Sequence, residues 1–145
     1  MTQKNISVII VTFNSERHIQ KCVESVLKSE IHKNNLHIII VDNSSKDKTR
    51  IIVNNMCRNT NQVSLIKNNN NFGFAAAINQ GIKLSKDSNY DLLLNPDTIV
   101  EENSISTLIE CSIKNNAGIC GGSTRNISGV ENGSYFRSPN LLVGI

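Results

Sequence analysis

The sequence predicts an α/β protein with a doubly wound, mainly parallel sheet and helices on both faces. Nearly continuous aliphatic runs recur along the chain, as is typical of strands covered on both sides. Segments with apolar residues at helical spacing separate these runs. Polar residues follow several runs directly, at the strand ends where open α/β sheets bind ligands. Such alternation implies right-handed βαβ units.

The first unit is a strand followed by an amphipathic helix. Residues 6–13 (ISVIIVTF) are β-branched and nearly continuous, which predicts a central buried strand. Asn14-Ser15 then offers a helix N-cap. From there apolar residues recur at helical spacing, at Ile19, Cys22, Val23, Val26 and Leu27.

Two further strands follow in the next part of the chain. Residues 36–42 repeat the aliphatic pattern and end on Asp42, and a helix runs from the polar cluster 43–47 through Met56. Residues 63–67 alternate more, which predicts a shorter strand nearer the sheet edge.

A helix rich in small residues comes after four consecutive asparagines, 68–71, which we interpret as a loop. The helix is predicted over residues 72–84, and its small side chains allow a close approach to the sheet. Gly81 lowers helix propensity by ~1 kcal/mol relative to Ala, so a packing reason is expected there.

The fourth strand, residues 90–94, runs into Asn95-Pro96-Asp97. Its three leucines lack polar alternation, which predicts burial on both faces. Pro96 fixes φ and keeps Asn95 extended, so Asp97 projects from the strand end. The tripeptide taken alone favours an ordinary turn whose carboxylate caps the next helix, since such dipeptides are common turn signals.

The remaining sequence predicts a helix with Ile105, Leu108, Ile109 and Ile113, then a strand over residues 117–124. We therefore expect an α/β domain over residues 1–124 and an irregular segment over 125–145. The apolar residues 141–145 fit either the start of a further acceptor-binding half or a short terminal strand.

Composition excludes several classes of partner. The chain has 145 residues, 39% of them hydrophobic, which suits one domain with a real core. A net charge of +3 with interspersed signs, four Phe, two Tyr and no Trp do not suggest nucleic-acid binding. The sequence shows no transmembrane segment or signal-peptide layout. Four widely spaced cysteines indicate reduced thiols in a cytoplasmic protein, with no metal site of their own: Cys22, Cys57, Cys111 and Cys120.

The motifs that define several enzyme classes are absent from the sequence. No glycine stands in the turn after the first strand, which removes the dinucleotide fingerprint, and neither a P-loop nor a nucleophile elbow occurs. Asn14-Ser15 stands where a response-regulator receiver domain needs an acidic pair.

Four segments together resemble family 2 glycosyltransferases, most closely the rhamnosyltransferase-like branch. Their order and spacing match across roughly residues 5–124, in the segments 9–14 (IIVTFN), 39–47 (IIVDNSSKD), 71–81 (NFGFAAAINQG) and 93–97 (LLNPD). The resemblance implies a nucleotide-sugar-binding fold of glycosyltransferase type A and sugar transfer with inversion.

The resemblance also implies a site for a UDP- or dTDP-sugar. Asp42 would accept a hydrogen bond from the pyrimidine imide N–H, which favours uracil or thymine over cytosine. The other residues that would line the nucleotide-sugar pocket are Thr12, Phe13, Asn14, Asn71, Gly73, Asn79 and Asn95.

A divalent cation is the cofactor that the resemblance implies. Asp97 resembles the last acid of the family's D-x-D motif, so it would hold Mg²⁺ or Mn²⁺ together with the donor's two phosphates. Asn95 stands at the first acid of that motif and can bond the sugar or a metal-bound water without adding charge.

The general base of the family is an Asp or Glu in the second half of a domain about twice this length, so we expect it outside this chain. The acids Glu101, Glu102, Glu110 and Glu131 match no base motif. The chain thus resembles a donor-binding half. The resemblance implies a glycan or lipid-linked acceptor and a place in the cytoplasm, including the inner face of the membrane. Alternatives are a non-catalytic nucleotide-sugar-binding module that needs a partner chain, and an α/β interaction scaffold. An uncovered sheet edge would also give the chain reason to form homo-oligomers.

Overall fold

The computed structural model describes residues 5–31, 36–126 and 128–132. These form two compact units, one up to Ile105 and one from Ser106. The elements are β1 (Ile6–Thr12), α1 (Ile19–Lys28), β2 (Leu36–Asp42), α2 (Thr49–Asn59), β3 (Val63–Lys67), α3 (Phe74–Leu84), β4 (Tyr90–Leu94), α4 (Ser104–Lys114), β5 (Thr124–Arg125) and β6 (Glu131–Asn132).

The first unit contains a four-stranded parallel sheet with the order β3-β2-β1-β4. The chain builds outward from β1 through β2 to β3, and then places β4 on the other side of β1. The winding direction therefore reverses between β1 and β4, which makes the carboxyl ends of these strands a topological switch point. The predicted α/β class and the edge position of β3 are confirmed.

Two layers of helices cover the sheet. On one face, Ala77 and Ile78 of α3 pack in a cluster with Ile9 and Val11 of β1, and β2 adds Ile39 and Val41. Alternate residues of both strands point to the opposite face, where right-handed connections place α1 and α2. Those two helices bury Ile19, Cys22, Val23, Val26 and Val53. Helices on both faces are confirmed.

Gly81 is where α3 approaches the sheet most closely. An added Cβ at this position would lie 2.4 Å from Cγ2 of Ile9, which is fully buried. This contact is the packing reason that the sequence predicted for the glycine.

The predicted burial of β4 on both faces is wrong. Leu93 is 50% exposed, and exposure alternates along the strand. Leu93 pairs in register with Ile9 on the α3 side, yet the contacts of α3 are with β1 and β2. The strand lies at the edge of the described sheet, so neighbours cover one of its faces less than the other.

The predicted N-cap at Asn14-Ser15 is also wrong. A turn comes first, in which the Ser15 carbonyl accepts hydrogen bonds from the backbone N–H groups of His18 and Ile19, both at 3.0 Å. His18 holds the cap position without a side-chain cap bond. The Asn14 side chain accepts a hydrogen bond from a neighbouring loop, as described below, and Ser15 Oγ donates to the Phe13 carbonyl at 3.5 Å.

The second unit contains most of α4 and the antiparallel pair β5–β6. The strand predicted over residues 117–124 is wrong except at Thr124. Its three glycines, at positions 118, 121 and 122, lose much backbone entropy on ordering and offer no side chain to pack. The predicted boundary after residue 124 falls inside this unit, and residues 141–145 lie outside the described residues.

Among the described residues, no helix combines the length and apolar character that crossing a membrane requires.

Candidate functional site

The switch point brings the segments after β1 and β4 to one edge of the sheet. The two strands are hydrogen-bonded neighbours, with Ile10 opposite Leu94, so their backbones run about 4.8 Å apart. Phe13 and Asn14 follow one strand, and Asn95 and Asp97 follow the other. The sequence separates these pairs by some 80 positions, and the topology places them side by side.

The β1–α1 and β2–α2 loops are joined by reciprocal hydrogen bonds. The Asn14 backbone N–H donates to Ser45 Oγ at 2.9 Å, and the Lys46 backbone N–H donates to Asn14 Oδ1 at 2.8 Å. Three further bonds continue the join: Ser15 N–H to Thr49 Oγ1 (2.8 Å), Glu16 N–H to Asp47 Oδ2 (3.0 Å) and Lys48 N–H to Glu16 Oε2 (2.8 Å). The two loops therefore behave as one structural unit.

Both loops carry a residue in the left-handed region. The φ angles are +52° at Asn14 and +71° at Ser44, a conformation uncommon outside glycine. Such backbone persists where surrounding bonds over-determine it, and it concentrates at functional sites.

Asp42 is the buried centre of this unit, with no exposed surface. Its Oδ2 accepts from Thr12 Oγ1 at 3.2 Å, while its Oδ1 accepts from the Ser45 backbone N–H at 3.1 Å and from Arg50 Nε. The arginine compensates the buried charge. Contact between Asp42 and a nucleobase stays a prediction, and the carboxylate already has three partners within the protein.

Asn43 connects this centre to the start of α3. Its backbone N–H donates to the Thr12 carbonyl (2.8 Å) and its side-chain Nδ2 donates to the Gly73 carbonyl (3.1 Å). Asn68 Nδ2 donates to Asn43 Oδ1 (2.9 Å) and to Gln80 Oε1 (2.8 Å). The loops after β1, β2 and β3 thus share one polar network.

The predicted residues around α3 differ in how they join this network. Asn71 Oδ1 accepts from the Gly73 backbone N–H at 2.9 Å, and Gly73 has a φ of +83° directly before the helix. Glycine adopts that angle without steric cost. Asn79 is exposed in the second turn of α3, and none of the hydrogen bonds between described residues ties it to the loops.

Exposed aromatic rings stand in the same loops. Phe13 is 51% exposed, and Phe72 and Phe74, on either side of Gly73, are 55% and 57% exposed. These are three of the chain's four phenylalanines. Asn43 bonds both the residue before Phe13 and the residue between the other two, so it links the segments that carry the rings.

The turn that carries Asp97 is held against α1. Cys22 Sγ donates to the Asn95 carbonyl at 3.5 Å, and the Thr98 backbone N–H donates to the same carbonyl at 3.2 Å. Burial raises the pKa of the Cys22 thiol to about 12, with the charge of Asp97 adding to the effect. The thiol therefore stays protonated and able to donate.

The residues present fit a metal that arrives with a phosphorylated ligand. Asp97 is an exposed carboxylate, and the described residues contain no cluster of three or more His, Cys, Asp or Glu able to enclose an ion. Mg²⁺ is commonly bound by one or two carboxylates plus substrate phosphates. Asp97 would be the protein ligand in such a site.

Several residues of the joined loops and their polar network were not among the predicted site residues: Asn43, Ser45, Thr49, Arg50, Asn68 and Gln80. A buried carboxylate requires a cationic partner, so Arg50, in the first turn of the helix after Asp42, carried a detectable signal. The asparagines and Gln80 carried none, because their partners lie far away in sequence.

The two described cavities lie away from this edge. One of about 480 Å³ is lined by residues at the amino ends of β1 and β2, and one of about 380 Å³ lies between α1 and α2. Neither is lined by a predicted site residue. The loop-bearing carboxyl edge is the candidate site because of its topology and its residues, not because of an enclosed cavity.

A doubly wound parallel sheet with polar loops at its switch point defines an α/β ligand-binding protein. The chain belongs to the family described as Glycosyl transferase family 2, whose model matches residues 7–142. The family predicted from the four segments is confirmed.

The chain is also similar to a bacterial glycosyltransferase in sequence and to two solved enzymes in fold. Glycosyltransferase GlyG of Streptococcus pneumoniae serotype 4 is 31% identical over 131 residues, which are 90% of this chain and 42% of that protein. S. aureus TarS 1–349, solved in complex with UDP, is 21% identical with a TM-score of 0.68, over 77% of this chain and 33% of TarS. The mannosyltransferase PcManGT of Pyrobaculum calidifontis, solved with GDP-Man and Mn²⁺, is 16% identical with a TM-score of 0.71, over 77% and 33%. The chain shares the fold of these enzymes and spans less than half of their length.

Proposed function

We propose that this chain is the donor-binding part of an inverting glycosyltransferase, of the rhamnosyltransferase-like branch, that uses a UDP- or dTDP-sugar. The observation that carries the proposal is the switch point, where an aromatic and polar loop unit adjoins an exposed aspartate. Family membership supports sugar transfer, and the complexes of TarS with UDP and of PcManGT with GDP-Man support a nucleotide-sugar donor.

The nucleobase of the donor would lie against the β1–α1 and β2–α2 loops. Phe13 offers an exposed ring, and stacking on an aromatic ring stabilises a base by about 1–3 kcal/mol. Direct recognition of the imide by Asp42 would require this fully buried carboxylate to become accessible to the nucleobase. Its burial therefore favours a second role, in which Asp42 positions the loops that face the base.

The diphosphate would lie toward Asp97. A divalent cation bound there would neutralise the leaving diphosphate. Asp97 would supply its carboxylate oxygens, and the exposed amide of Asn95 would hydrogen-bond the sugar or a water of the cation. Gly73, Asn71 and Asn79 would lie toward the ribose.

The proton acceptor for the acceptor hydroxyl is not assigned to any residue of this chain. Glu101 and Glu102 are exposed between β4 and α4, and Glu110 and Glu131 lie in the second unit. A base has to be placed by geometry before its pKa is considered, and no observation directs any of these acids toward an acceptor. The acceptor itself we take to be a glycan or a lipid-linked sugar, reached from the cytoplasm.

Calorimetric titration of the chain with UDP and with dTDP tests the donor site. Each titration is run with Mn²⁺, with Mg²⁺ and with chelator, on the wild type, Asp97→Asn and Asp91→Asn. Asp91 is the matched control, because it is an exposed carboxylate on the same strand before the turn. We expect the cation to lower the UDP dissociation constant. Asp97→Asn should make this decrease smaller by roughly tenfold or more, as expected for the loss of a charged contact.

Two results would contradict the proposal. Absence of nucleotide binding to the folded chain would refute the donor site. An equal weakening of cation-dependent UDP binding in both variants would refute the specific role of Asp97. Adding donor and acceptor addresses the alternative of a non-catalytic module, because sugar transfer by this chain alone would eliminate that alternative.

A further inference from the structure

The segment from Asn95 to Val100 is tied to α1 at both of its ends. Near its start, Cys22 Sγ donates to the Asn95 carbonyl at 3.5 Å. At its end, the Val100 backbone N–H donates to Ser25 Oγ at 3.0 Å. Asp97 lies between the two ties, so α1 determines where its carboxylate stands.

Ser25 is well suited to hold the far end of this segment. Its hydroxyl donates to the Cys22 carbonyl at 2.7 Å within the helix, which orients the oxygen lone pairs toward Val100. The helix around it is firmly anchored, since Cys22, Val23 and Val26 are at most 1% exposed. One side chain thereby transmits the rigidity of a buried helix to an exposed turn.

We propose that Ser25 is a positioning residue for Asp97. By holding Val100 on α1, it keeps the Asp97 carboxylate preorganised for a divalent cation that binds together with a nucleoside diphosphate. This inference rests on the proposed function, because it concerns the cation of the same donor site. Ser25 would act only through the turn, without a contact of its own to the nucleotide or the cation.

The chain offers a matched control four residues further along, at the C-cap of α1. Ser29 Oγ donates to the Val26 carbonyl at 2.6 Å, as Ser25 Oγ donates to the Cys22 carbonyl. Ser25 in addition accepts the Val100 N–H. Comparing Ser25→Ala with Ser29→Ala therefore separates the effect of losing the bond to Val100 from the effect of losing a hydroxyl that bonds the α1 backbone.

The test measures the UDP dissociation constant in saturating Mn²⁺ and in chelator for the full chain. We expect Ser25→Ala to lower the gain from Mn²⁺ by about 3- to 10-fold, the usual effect of one lost hydrogen bond, with the constant in chelator unchanged. Amide hydrogen exchange should show faster exchange at Val100 in Ser25→Ala. Ser29→Ala should resemble the wild type in both measurements.

Two further variants guard against a simple loss of folding. Ser25→Thr keeps the hydroxyl and should retain the wild-type gain from Mn²⁺. Ser25→Cys keeps the size but offers sulfur, a weak acceptor, and should lose part of the gain.

Each outcome separates this inference from the function on which it rests. If the wild type gains nothing from Mn²⁺, the proposed cation site fails, and the inference fails with it. If Mn²⁺ tightens UDP binding equally in the wild type and in Ser25→Ala, the donor site stands and the positioning role of Ser25 is refuted. The same holds if Ser29→Ala weakens the effect of Mn²⁺ as much as Ser25→Ala does.

Discussion

The close approach of α3 to the sheet predicts an unusual response to Gly81→Ala. In an ordinary helix this substitution stabilises by ~1 kcal/mol. Here the new Cβ would stand 2.4 Å from Ile9 Cγ2, where carbon atoms normally lie ~3.5–4.0 Å apart. Ile9 is fully buried and β-branched, so its methyl group has little room to move. Overpacking costs ~1–3 kcal/mol in general, and so short a contact with a rigid side chain belongs to the upper part of that range, ~2–3 kcal/mol. After the helix gain of ~1 kcal/mol, we expect a net destabilisation of ~1–2 kcal/mol.

A double-mutant cycle with Ile9→Ala tests the cause. In that background the Cγ atoms are gone, and the nearest remaining atom of residue 9 is its Cβ, at 3.5 Å from the new methyl group. Gly81→Ala should then stabilise by ~1 kcal/mol, because the helix gain is no longer offset. The sign of the effect is thus expected to reverse, which gives a coupling of ~2–3 kcal/mol.

Urea unfolding followed by circular dichroism gives the four free energies of the cycle. Gly118→Ala is the control for an added methyl group without a clash, because an added Cβ there meets no atom within 4 Å. It should be neutral or stabilise by up to ~1 kcal/mol. The reasoning is refuted if Gly81→Ala stabilises the wild type, or if its effect is the same with Ile9 and with alanine at that position.

Two further predictions concern the loops of the candidate site. Asp42→Asn should lower stability and weaken UDP and CDP binding by similar factors if Asp42 positions the loops. A change in the ratio of the UDP and CDP dissociation constants would instead indicate direct contact with the base. Burial alone would raise the pKa of Asp47, but hydrogen bonds from Thr49 and from the Glu16 backbone N–H outweigh it and lower the pKa below 3.8. The pKa of Asp47 is lower in the folded protein than in the unfolded chain. Ionised Asp47 therefore stabilises the folded protein above about pH 4, and this contribution is lost as the pH falls through the folded pKa. Asp47→Asn should therefore flatten the acid limb of the stability profile measured between about pH 2 and pH 6, and an unchanged limb would exclude this role.

The sequence was sufficient for the elements that depend on neighbouring residues. The runs ending at Thr12 and Asp42 are almost entirely aliphatic, so they indicated central strands, and both are central in the sheet. Helical spacing from Ile19 located α1, because burial of one face repeats every three to four residues. Polar residues directly after these strands also located the candidate site, since parallel strands bring their carboxyl ends to one edge.

Tertiary structure decided what depends on partners far away in the chain. The leucines of β4 have an aliphatic sequence like those of the central strands, but Leu93 is half exposed because its position in the sheet differs. Arg50 beside Asp42 and Ser25 beneath the Asp97 turn follow from helix placement. A local pattern records whether a residue favours burial, while the geometry of the packed chain determines which groups meet. For this protein the sequence determined the first four strands, the family resemblance and the edge of the site, and the structure determined how that edge is held in place.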